Sequence, residues 1–446
     1  MDEQKSVVVL LFDSLRRDKL STYNDKIQFT PNFRSLSEES TVYRNATANA
    51  PWTLPSVSSI FTGQYPWDHG ATHRNVSLDS DRKLLAEKFS EEGYKTKVIT
   101  PNTWISPSVG TTRGFDEVEN FLGIGGNSIS QKILSKARSI YESLSRGNKG
   151  RIIRLADIIF ENFAKADVKK SRKTVEETKS FLQDVGDEEF FLFVNVMSAH
   201  EPYDKGDPPR ELLEKHDVSN VNELPSTEKD FFNGNVNYNN LRKAYEASVE
   251  YSDKLLGEIL DTLEQTGLKQ EVAIVALGDH GQALGEDDVF AHQFTVMDSV
   301  VDVPLMVREP GGNASTEDGL YQLKQLYEII PRIAGLSDVD IDSAEEVRGG
   351  YEYPEFFAGI IPDEKRDKYD VKYQYLIEGN QKIIKQVDRS GEEEYRVKNR
   401  AEGKEKNVTE EHKNKIDNDT SNVGGNDQKA VEDEEVKERL KDLGYM

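Results

Sequence analysis

Short, largely apolar runs alternate along the chain with segments whose apolar residues recur at helical spacing. The runs that predict buried strands are residues 7–12, 95–100, 190–197, 272–277 and 304–307. The helical pattern covers residues 83–92, 174–184, 241–266 and 320–334. Because parallel strands that are buried on both faces read as continuous apolar runs, this alternation predicts an α/β fold with a large, mostly parallel mixed sheet between helices.

The C-terminal part of the chain has a different pattern. Residues 373–376 and 381–387 are strand-like and flank a Gly379-Asn380 turn, which predicts a β-hairpin. We therefore expect a main domain over residues 1–345 and a small antiparallel β subdomain over residues 346–400. Residues 401–446 are polar and poor in apolar side chains, which is typical of a flexible tail, and a short amphipathic helix is predicted at residues 436–443.

One segment is basic within an otherwise acidic protein. Residues 128–173 carry twelve Lys and Arg against four acidic residues, with apolar residues at helical spacing. We interpret residues 122–173 as a helical insertion in the main domain. The insertion either packs on the main body with its charges solvated, or provides a docking face for an anionic membrane surface or a polyanionic substrate.

The charge and composition exclude several classes of protein. The chain has 57 Lys and Arg against 81 Asp and Glu, a formal charge of −24, and such a surface repels nucleic acid. The acidity reflects either ordinary solubilisation or adaptation to a salt-rich, halophilic cytoplasm.

The first residues lack the pattern of a secretory signal, so we expect a cytoplasmic protein. The chain contains no cysteine, which excludes disulfides and thiolate metal sites.

Two acidic residues follow predicted strands directly. Asp13 comes after the strand at residues 7–12, and Asp279 comes just after the strand at residues 272–277. In open α/β sheets ligands bind at this edge, so the two carboxylates are expected to converge. His280 follows Asp279, and together they offer an oxygen and a nitrogen ligand to a divalent metal, although an isolated Asp-His pair is more often structural.

A third candidate is the hydroxyl of Thr53, in the sequence Pro51-Trp-Thr-Leu-Pro-Ser56. A hydroxyl on a turn that opens a helix lies in the positive field of the helix N-terminus, which favours an alkoxide and an anionic ester. The alternative is a plain N-cap threonine. His200 lies just past the predicted strand at residues 190–197, and His292 follows the Asp-His-Gly sequence within a few residues.

The order and spacing of these motifs resemble the sulfatase family of the alkaline phosphatase superfamily, from about residue 5 to about residue 390. The resemblance implies that residues 1–345 form the catalytic domain. It also implies that Asp13, Asp279 and His280, together with Thr53, hold one divalent metal, which would lower the pKa of the Thr53 hydroxyl. By the same resemblance, His200 and His292 contact the ester oxygens or protonate the leaving group. Manganese, magnesium or zinc suits two carboxylates and one imidazole, whereas calcium prefers oxygen throughout.

The chain departs from the family pattern at several positions. Thr53 stands where the family usually has the cysteine that becomes formylglycine, and Val57 replaces the arginine of that motif. Ser14 stands in place of a second acidic residue. A cationic segment of the family is replaced by residues 100–104, in which Asn102 could donate a hydrogen bond to substrate. Because aldehyde-hydrate chemistry cannot operate without that cysteine, a covalent Thr53 ester would have to be resolved at the sulfur or phosphorus atom itself.

Three functions are consistent with this sequence. The first is a metal-dependent, sulfatase-like hydrolase of sulfate or phosphate esters with a threonine nucleophile. The second is a phosphotransferase of the phosphoglycerol or phosphoethanolamine type, acting on a glycan or a lipid at the inner membrane face. The third is a catalytically degenerate relative that binds an anion without turnover.

Overall fold

Strands and helices alternate along the part of the chain that the computed structural model describes, namely residues 4–78, 81–121, 170–203, 207–225, 228–234, 236–355, 359 and 361–417. The strands are β1 (Val7–Phe12), β2 (Thr41–Thr47), β3 (Lys95–Thr100), β4 (Glu117–Asn120), β5 (Phe190–Val196), β6 (Ala273–Gly278), β7 (Ala283–Leu284), β8 (Phe290–Ala291), β9 (Leu305–Arg308), β10 (Ser315–Gln322), β11 (Glu346–Tyr351), β12 (Lys372–Glu378), β13 (Gln381–Val387), β14 (Glu393–Asn399) and β15 (Lys404–Lys406). The α-helices are α1 (Pro31–Ser37), α2 (Thr53–Thr62), α3 (Pro66–His69), α4 (Leu85–Glu91), α5 (Lys170–Asp184), α6 (Arg210–Lys215), α7 (Glu228–Asn233), α8 (Tyr238–Gln265), α9 (Asp298–Val301), α10 (Leu326–Ile333), α11 (Arg366–Tyr369) and α12 (Glu410–Asp417).

The larger sheet has eight strands in the order β10-β2-β9-β6-β1-β5-β3-β4. Its centre is parallel, because β1 pairs in parallel with both β5 and β6, and β5 pairs in parallel with β3. Within this sheet, as far as the structure describes it, only β9 is reversed, and it pairs antiparallel with both β6 and β2. The predicted α/β fold with a large, mostly parallel mixed sheet is therefore confirmed.

Helices cover both faces of this sheet. Alternate residues of β1 point to opposite sides, as the pleat requires. Val8, Leu10 and Phe12 enter the apolar cluster that contains the buried face of α8. The intervening residues of β1 enter the second cluster, which contains residues of α2, α4 and α10. Every residue of β1, β5 and β6 is buried. Packing therefore holds these strands along their whole length, including the carboxyl ends from which the candidate site residues follow.

The C-terminal sheet is antiparallel and has the order β11-β12-β13-β14-β15. The predicted hairpin is present, with β12 and β13 joined at Gly379, whose φ of 52° suits glycine in a tight turn. Past the expected boundary at residue 400, β15 pairs with β14, and Ile416 of α12 is buried in the apolar cluster of this sheet. The remainder of the predicted tail, with its terminal helix at residues 436–443, lies outside the described residues.

Partly buried ion pairs join the C-terminal sheet to the rest of the chain. Lys382 on β13 donates to Asp298 at 2.8 Å, and Asp298 begins α9. Arg400 donates to Asp302 at 2.7 Å, and the other carboxylate oxygen of Asp302 accepts from Arg17, in the segment after β1, at 2.9 Å. These ion pairs thus link the C-terminal sheet to segments that lie next to the carboxyl ends of β1 and β6.

One predicted helix begins in the wrong place. Residues 320–322 belong to β10, where Leu320 pairs with Asn45 of β2, and the helix proper is α10. The apolar spacing continues from strand into helix, so the periodicity alone does not reveal the boundary. Of the basic insertion at 122–173, residues 122–169 lie outside the described part, and residues 170–173 open α5. Within the described ranges, every helix is too short or too polar to cross a lipid bilayer.

Asp253 on α8 holds the start of α1. Its carboxylate accepts the backbone N–H of Phe33 at 2.9 Å and the side-chain amide of Asn32 at 2.8 Å. Burial nevertheless raises the pKa of Asp253 from 3.8 to about 6, because the desolvation of the charge outweighs these bonds.

This pKa shift predicts a pH-dependent contribution to stability. The protonated carboxyl favours the folded chain fully below about pH 4, and the contribution is lost as the pH rises through about 6, a change of roughly 3 kcal/mol. We expect the difference in unfolding free energy between wild type and Asp253→Asn to decrease by that amount between pH 4 and pH 7, as measured by denaturant unfolding. Asp261→Asn, at an exposed position on the same helix, should show no such trend.

Candidate active site

Two carboxylates meet at the carboxyl edge of the central sheet. Asp13 follows β1 and Asp279 follows β6, and these neighbouring strands are in register, with Phe12 opposite Gly278. Both side chains are fully buried. The Asp13 N–H donates to the carbonyl of Val196 on β5 at 2.9 Å, so the chain remains tied to the sheet past the end of β1.

Ser14 connects the two carboxylates. Its backbone N–H donates to Asp279 Oδ1 at 3.3 Å, and its hydroxyl donates to Asp13 Oδ1 at 3.2 Å. This geometry requires a φ of 60° at Ser14, a left-handed conformation that is uncommon for a residue with a side chain. Ser14 stands at the position of the family's second acidic residue, and the structure places its two donors on both acidic side chains.

The hydroxyl of Thr53 points at the same place. Thr53 is the first residue of α2, and its Oγ1 donates to Asp13 Oδ2 at 3.3 Å and lies 3.4 Å from His280 Nε2. The first turn of α2 is held there because Ser56 Oγ donates to the backbone carbonyl of Asp279 at 2.7 Å. The positive end of the helix therefore faces the buried carboxylates.

His280 presents one ring nitrogen to this group. Its Nδ1 lies 2.9 Å from the carbonyl of Gly281, which can only accept, so Nδ1 carries the hydrogen and Nε2 keeps its lone pair. Nε2 is 3.6 Å from Asp13 Oδ1 and 3.5 Å from Asp279 Oδ2. Burial lowers the pKa of His280 to about 4, which keeps the ring neutral.

Gly281 is required by close backbone contact. Its N–H donates to the carbonyl of Val300 at 2.7 Å, and a Cβ added at this position would lie 2.1 Å from the carbonyl oxygen of Ser299. No side chain fits there, which explains the glycine of the Asp-His-Gly motif.

These side chains fit a divalent cation. Asp13, Asp279 and His280 each offer one ligand atom, and these atoms lie within 4.8 Å of one another. Asp279 Oδ2 accepts no hydrogen bond from any described residue although it is buried. Burial and the neighbouring Asp13 both raise the pKa of Asp279 well above its usual value, and a cation bound between the two side chains would favour the ionised carboxylates.

Asn102 lies at the same site. It follows β3, and its Nδ2 donates to Asp13 Oδ2 at 2.8 Å and lies 3.5 Å from Thr53 Oγ1. Its Oδ1 accepts the N–H of Trp104 at 2.8 Å, which fixes the orientation of the amide. The predicted substrate contact is thus, in this structure, a donor to a carboxylate of the pocket.

The two remaining predicted histidines complete the group. The ring of His292 lies 4.2 Å from that of His280, and the ring of His200 lies 5.3 Å from that of His292, measured between centroids. All of the side chains that the sequence singled out are therefore brought together at one edge of the sheet: Asp13, Ser14, Thr53, Asn102, His200, Asp279, His280 and His292.

Three further residues were missed by the sequence analysis. Gln282 bridges Glu201 and His292, since its Nε2 donates to Glu201 Oε2 at 2.6 Å and its Oε1 lies 2.9 Å from His292 Nδ1. Gln293 Nε2 lies 2.9 Å from His292 Nε2. The signal was present, because Glu201 adjoins His200 and Gln282 adjoins the Asp-His-Gly motif, but spacing does not show which side chains bond to one another.

The positions that depart from the family pattern are accommodated in the fold. Val57 is fully buried in the apolar cluster beneath α2, so the core fills the place of the family's arginine. Arg16 is also buried, but its guanidinium is engaged by Asp18 at 2.9 Å and by Glu286 at 2.7 Å.

Comparison with known proteins identifies relatives over most of the chain. A sequence model of the family described as Sulfatase matches residues 5–339. The chain is 22% identical over 365 residues to the ulvan-active sulfatase of Formosa agariphila, with 81% of this chain and 66% of that protein covered. It is 24% identical over 413 residues to the endo-4-O-sulfatase of Bacteroides thetaiotaomicron, with 80% and 73% covered. The chain thus spans about two thirds to three quarters of the length of these two relatives.

Solved structures share the fold. The phosphonate monoester hydrolase of Silicibacter pomeroyi superposes with a TM-score of 0.63 at 16% identity, covering 94% of each chain. Ps i-CgsB in complex with k-i-k-neocarrahexaose gives a TM-score of 0.64 at 16% identity, covering 99% of this chain and 98% of that one. At such identities the likeness concerns the fold alone.

Because Asp13 and Asp279 are buried side by side, we expect a substitution that stabilises the metal-free protein to weaken metal binding. We expect Asp279→Asn to stabilise the metal-free protein by roughly 1–3 kcal/mol, because it removes a buried charge next to Asp13. The same change should reduce the increase in melting temperature that we expect manganese to produce in the wild type, because the set of Asp13, Asp279 and His280 loses a carboxylate ligand. Thermal unfolding with EDTA and with MnCl₂ measures both effects, and Asp318→Asn, at an exposed position, should change neither.

Proposed function

The chain belongs to the sulfatase family, and we propose that it is a metal-dependent hydrolase of sulfate or phosphate esters in which Thr53 is the nucleophile. One observation carries the proposal. The Thr53 hydroxyl lies 3.3 Å from a carboxylate oxygen of Asp13 and 3.4 Å from Nε2 of His280, at the positive end of α2.

In the first step Thr53 is the nucleophile, Asp13 accepts its proton, and Asn102 orients the Asp13 carboxylate. Thr53 Oγ1 attacks the sulfur or phosphorus atom, and its proton passes to Asp13 Oδ2, which already accepts its hydrogen bond. Asn102 donates to the same carboxylate oxygen and so orients it. A divalent cation bound by Asp13, Asp279, His280 and Thr53 would stabilise the alkoxide and neutralise a non-bridging oxygen of the ester.

The leaving group needs a proton as its bond to the central atom breaks. His200 and His292 lie on the side of the pocket beyond His280, and either ring could contact the ester oxygens or supply this proton. The covalent Thr53 ester is then resolved by attack of water on the same sulfur or phosphorus atom, which releases sulfate, phosphate or, from a diester, a phosphate monoester, and returns a proton to the Thr53 oxygen. If an acceptor hydroxyl replaces water in this second step, the reaction becomes a transfer.

The small number of fixed cations in the pocket favours some esters over others. Val57 is buried in the core, the family's cationic segment is replaced by Asn102, and Arg16 is engaged by acidic partners. A pocket with fewer fixed cations suits an ester that carries a single negative charge, namely a sulfate ester or a phosphate diester, better than the dianion of a phosphate monoester. The second candidate is therefore a phosphotransferase of the phosphoglycerol or phosphoethanolamine type.

Two similar proteins support a proposal for the substrate class. One relative is named an ulvan-active sulfatase, and the Ps i-CgsB structure is a complex with k-i-k-neocarrahexaose. We infer that the substrate here is an anionic ester carried by a glycan or by a lipid-linked precursor.

Removal of the Thr53 hydroxyl tests the mechanism. We expect Thr53→Ala to lower kcat by roughly a thousand-fold or more, because the nucleophile is lost, while Thr53→Ser keeps a hydroxyl and retains measurable turnover. Turnover of aryl sulfate, phosphate monoester and phosphate diester probes, each with several divalent metals, gives the readout. Circular dichroism and melting temperature confirm that both variants fold.

The outcomes separate the candidates. Full activity of Thr53→Ala would contradict the proposal that Thr53 is the nucleophile. Activity on the diester that exceeds activity on the aryl sulfate favours phosphoryl chemistry. A folded, metal-loaded wild type that turns over none of the probes favours a relative that binds an anion without catalysis.

A further inference from the structure

A second set of metal-ligand groups lies beside the first. His200, Glu201 and His292 each offer one nitrogen or oxygen, and these atoms lie within 4.8 Å of one another. Glu201 and His292 are buried, and the side chain of His200 is 19% exposed, so the set borders the open side of the pocket. The sequence led us to expect a single cation, because no additional pairing of an Asp with two histidines was apparent near His200.

Hydrogen bonds at Nδ1 hold both imidazole rings in the orientation that is typical of metal-binding histidines. His200 Nδ1 lies 2.6 Å from the carbonyl of Glu201, and His292 Nδ1 lies 2.9 Å from Gln282 Oε1. Because both oxygens are acceptors, each ring carries its hydrogen on Nδ1 and keeps the lone pair on Nε2. An imidazole whose other nitrogen donates to a carbonyl or carboxylate is the arrangement by which proteins fix metal-binding histidines.

Gln282 fixes the third ligand as well. Its amide nitrogen donates to Glu201 Oε2 at 2.6 Å, which holds the carboxylate and leaves Oε1 for another partner. The amide of Gln293 lies 2.9 Å from His292 Nε2, so this side chain would rotate away when a cation takes that lone pair.

The charges in the pocket also favour a second cation. Asp13, Asp279 and Glu201 bring three carboxylates to one buried region, and Arg16 is already engaged by Asp18 and Glu286. One divalent cation would leave a net negative charge that repels an anionic ester. Two divalent cations would leave a net positive charge, which attracts it.

We propose that His200, Glu201 and His292 bind a second divalent cation of the zinc or manganese type. Two imidazoles and one carboxylate are a ligand set for such ions, and the set leaves coordination positions open towards the pocket. The ester or leaving-group oxygen would then meet this cation instead of contacting His200 and His292 directly. The inference extends the proposed function, since both concern one pocket, but the binding of the cation does not depend on which ester reacts.

Metal stoichiometry tests the proposal on the full chain. The protein is stripped with EDTA, re-equilibrated with ZnCl₂ or MnCl₂, desalted and measured by inductively coupled plasma mass spectrometry. We expect about two equivalents in the wild type, and about one in His200→Ala, in Glu201→Gln and in Asp279→Asn. Glu201→Gln keeps an oxygen that accepts from Gln282, so it removes the charge with little effect on folding.

The controls make each outcome decisive. His412→Ala removes a histidine of α12 and should leave about two equivalents, which excludes non-specific uptake by histidine. A wild type that binds about one equivalent, unchanged in His200→Ala and Glu201→Gln but lost in Asp279→Asn, overturns the proposal. Two equivalents together with full turnover by Thr53→Ala would overturn the proposed function and leave the second cation site standing.

Discussion

The burial of two carboxylates side by side, Asp13 and Asp279, is the constraint on which this structure depends. Like charges repel strongly where water is excluded, so the pair is tolerated only if donors or cations surround it. Asp13 receives hydrogen bonds from Ser14, Thr53 and Asn102. Asp279 Oδ1 receives two backbone N–H groups, whereas its Oδ2 receives none from any described residue. This incomplete compensation distinguishes the site from an ordinary buried polar cluster.

The sheet determines how close the two carboxylates lie. β1 and β6 are buried along their whole length and are in register, so neither strand can shift to separate the acids. The N-terminus of α2 is set against them by the bond from Ser56 to the Asp279 carbonyl, and Val57 anchors the same helix in the core. The position of the Thr53 hydroxyl therefore follows from packing.

The fold was predictable to the extent that burial leaves a pattern in the sequence. The strands at the centre of the sheet are continuous apolar runs, and the long α8 shows clear helical spacing. β10 could not be found in this way, because its first residues are exposed and polar and only its last three are buried. Its pairing with β2 depends on contacts between residues about 270 positions apart, which a local pattern does not contain.

The candidate site was predictable for a different reason. Asp13 and Asp279 end neighbouring strands, and the order of the motifs resembles one family, so their convergence could be inferred. The roles of Glu201, Gln282 and Gln293 could not, since they arise from side-chain hydrogen bonds across the pocket. The positive φ of Ser14 could not be predicted from the sequence either, because a left-handed conformation is common for glycine but uncommon for serine.

The carboxylate of Asp302 joins the beginning of the chain to its end, since it binds Arg17 with one oxygen and Arg400 with the other. During synthesis the ribosome releases Arg17 and the strands of the central sheet long before Arg400, so the sheet can assemble while Asp302 lacks one of its two partners. The segment after β1, which begins with Asp13, therefore gains its last electrostatic support only when the C-terminal sheet has formed. A chain interrupted before β14 would therefore contain all of the pocket's residues but would lack the ion pair between Arg400 and Asp302.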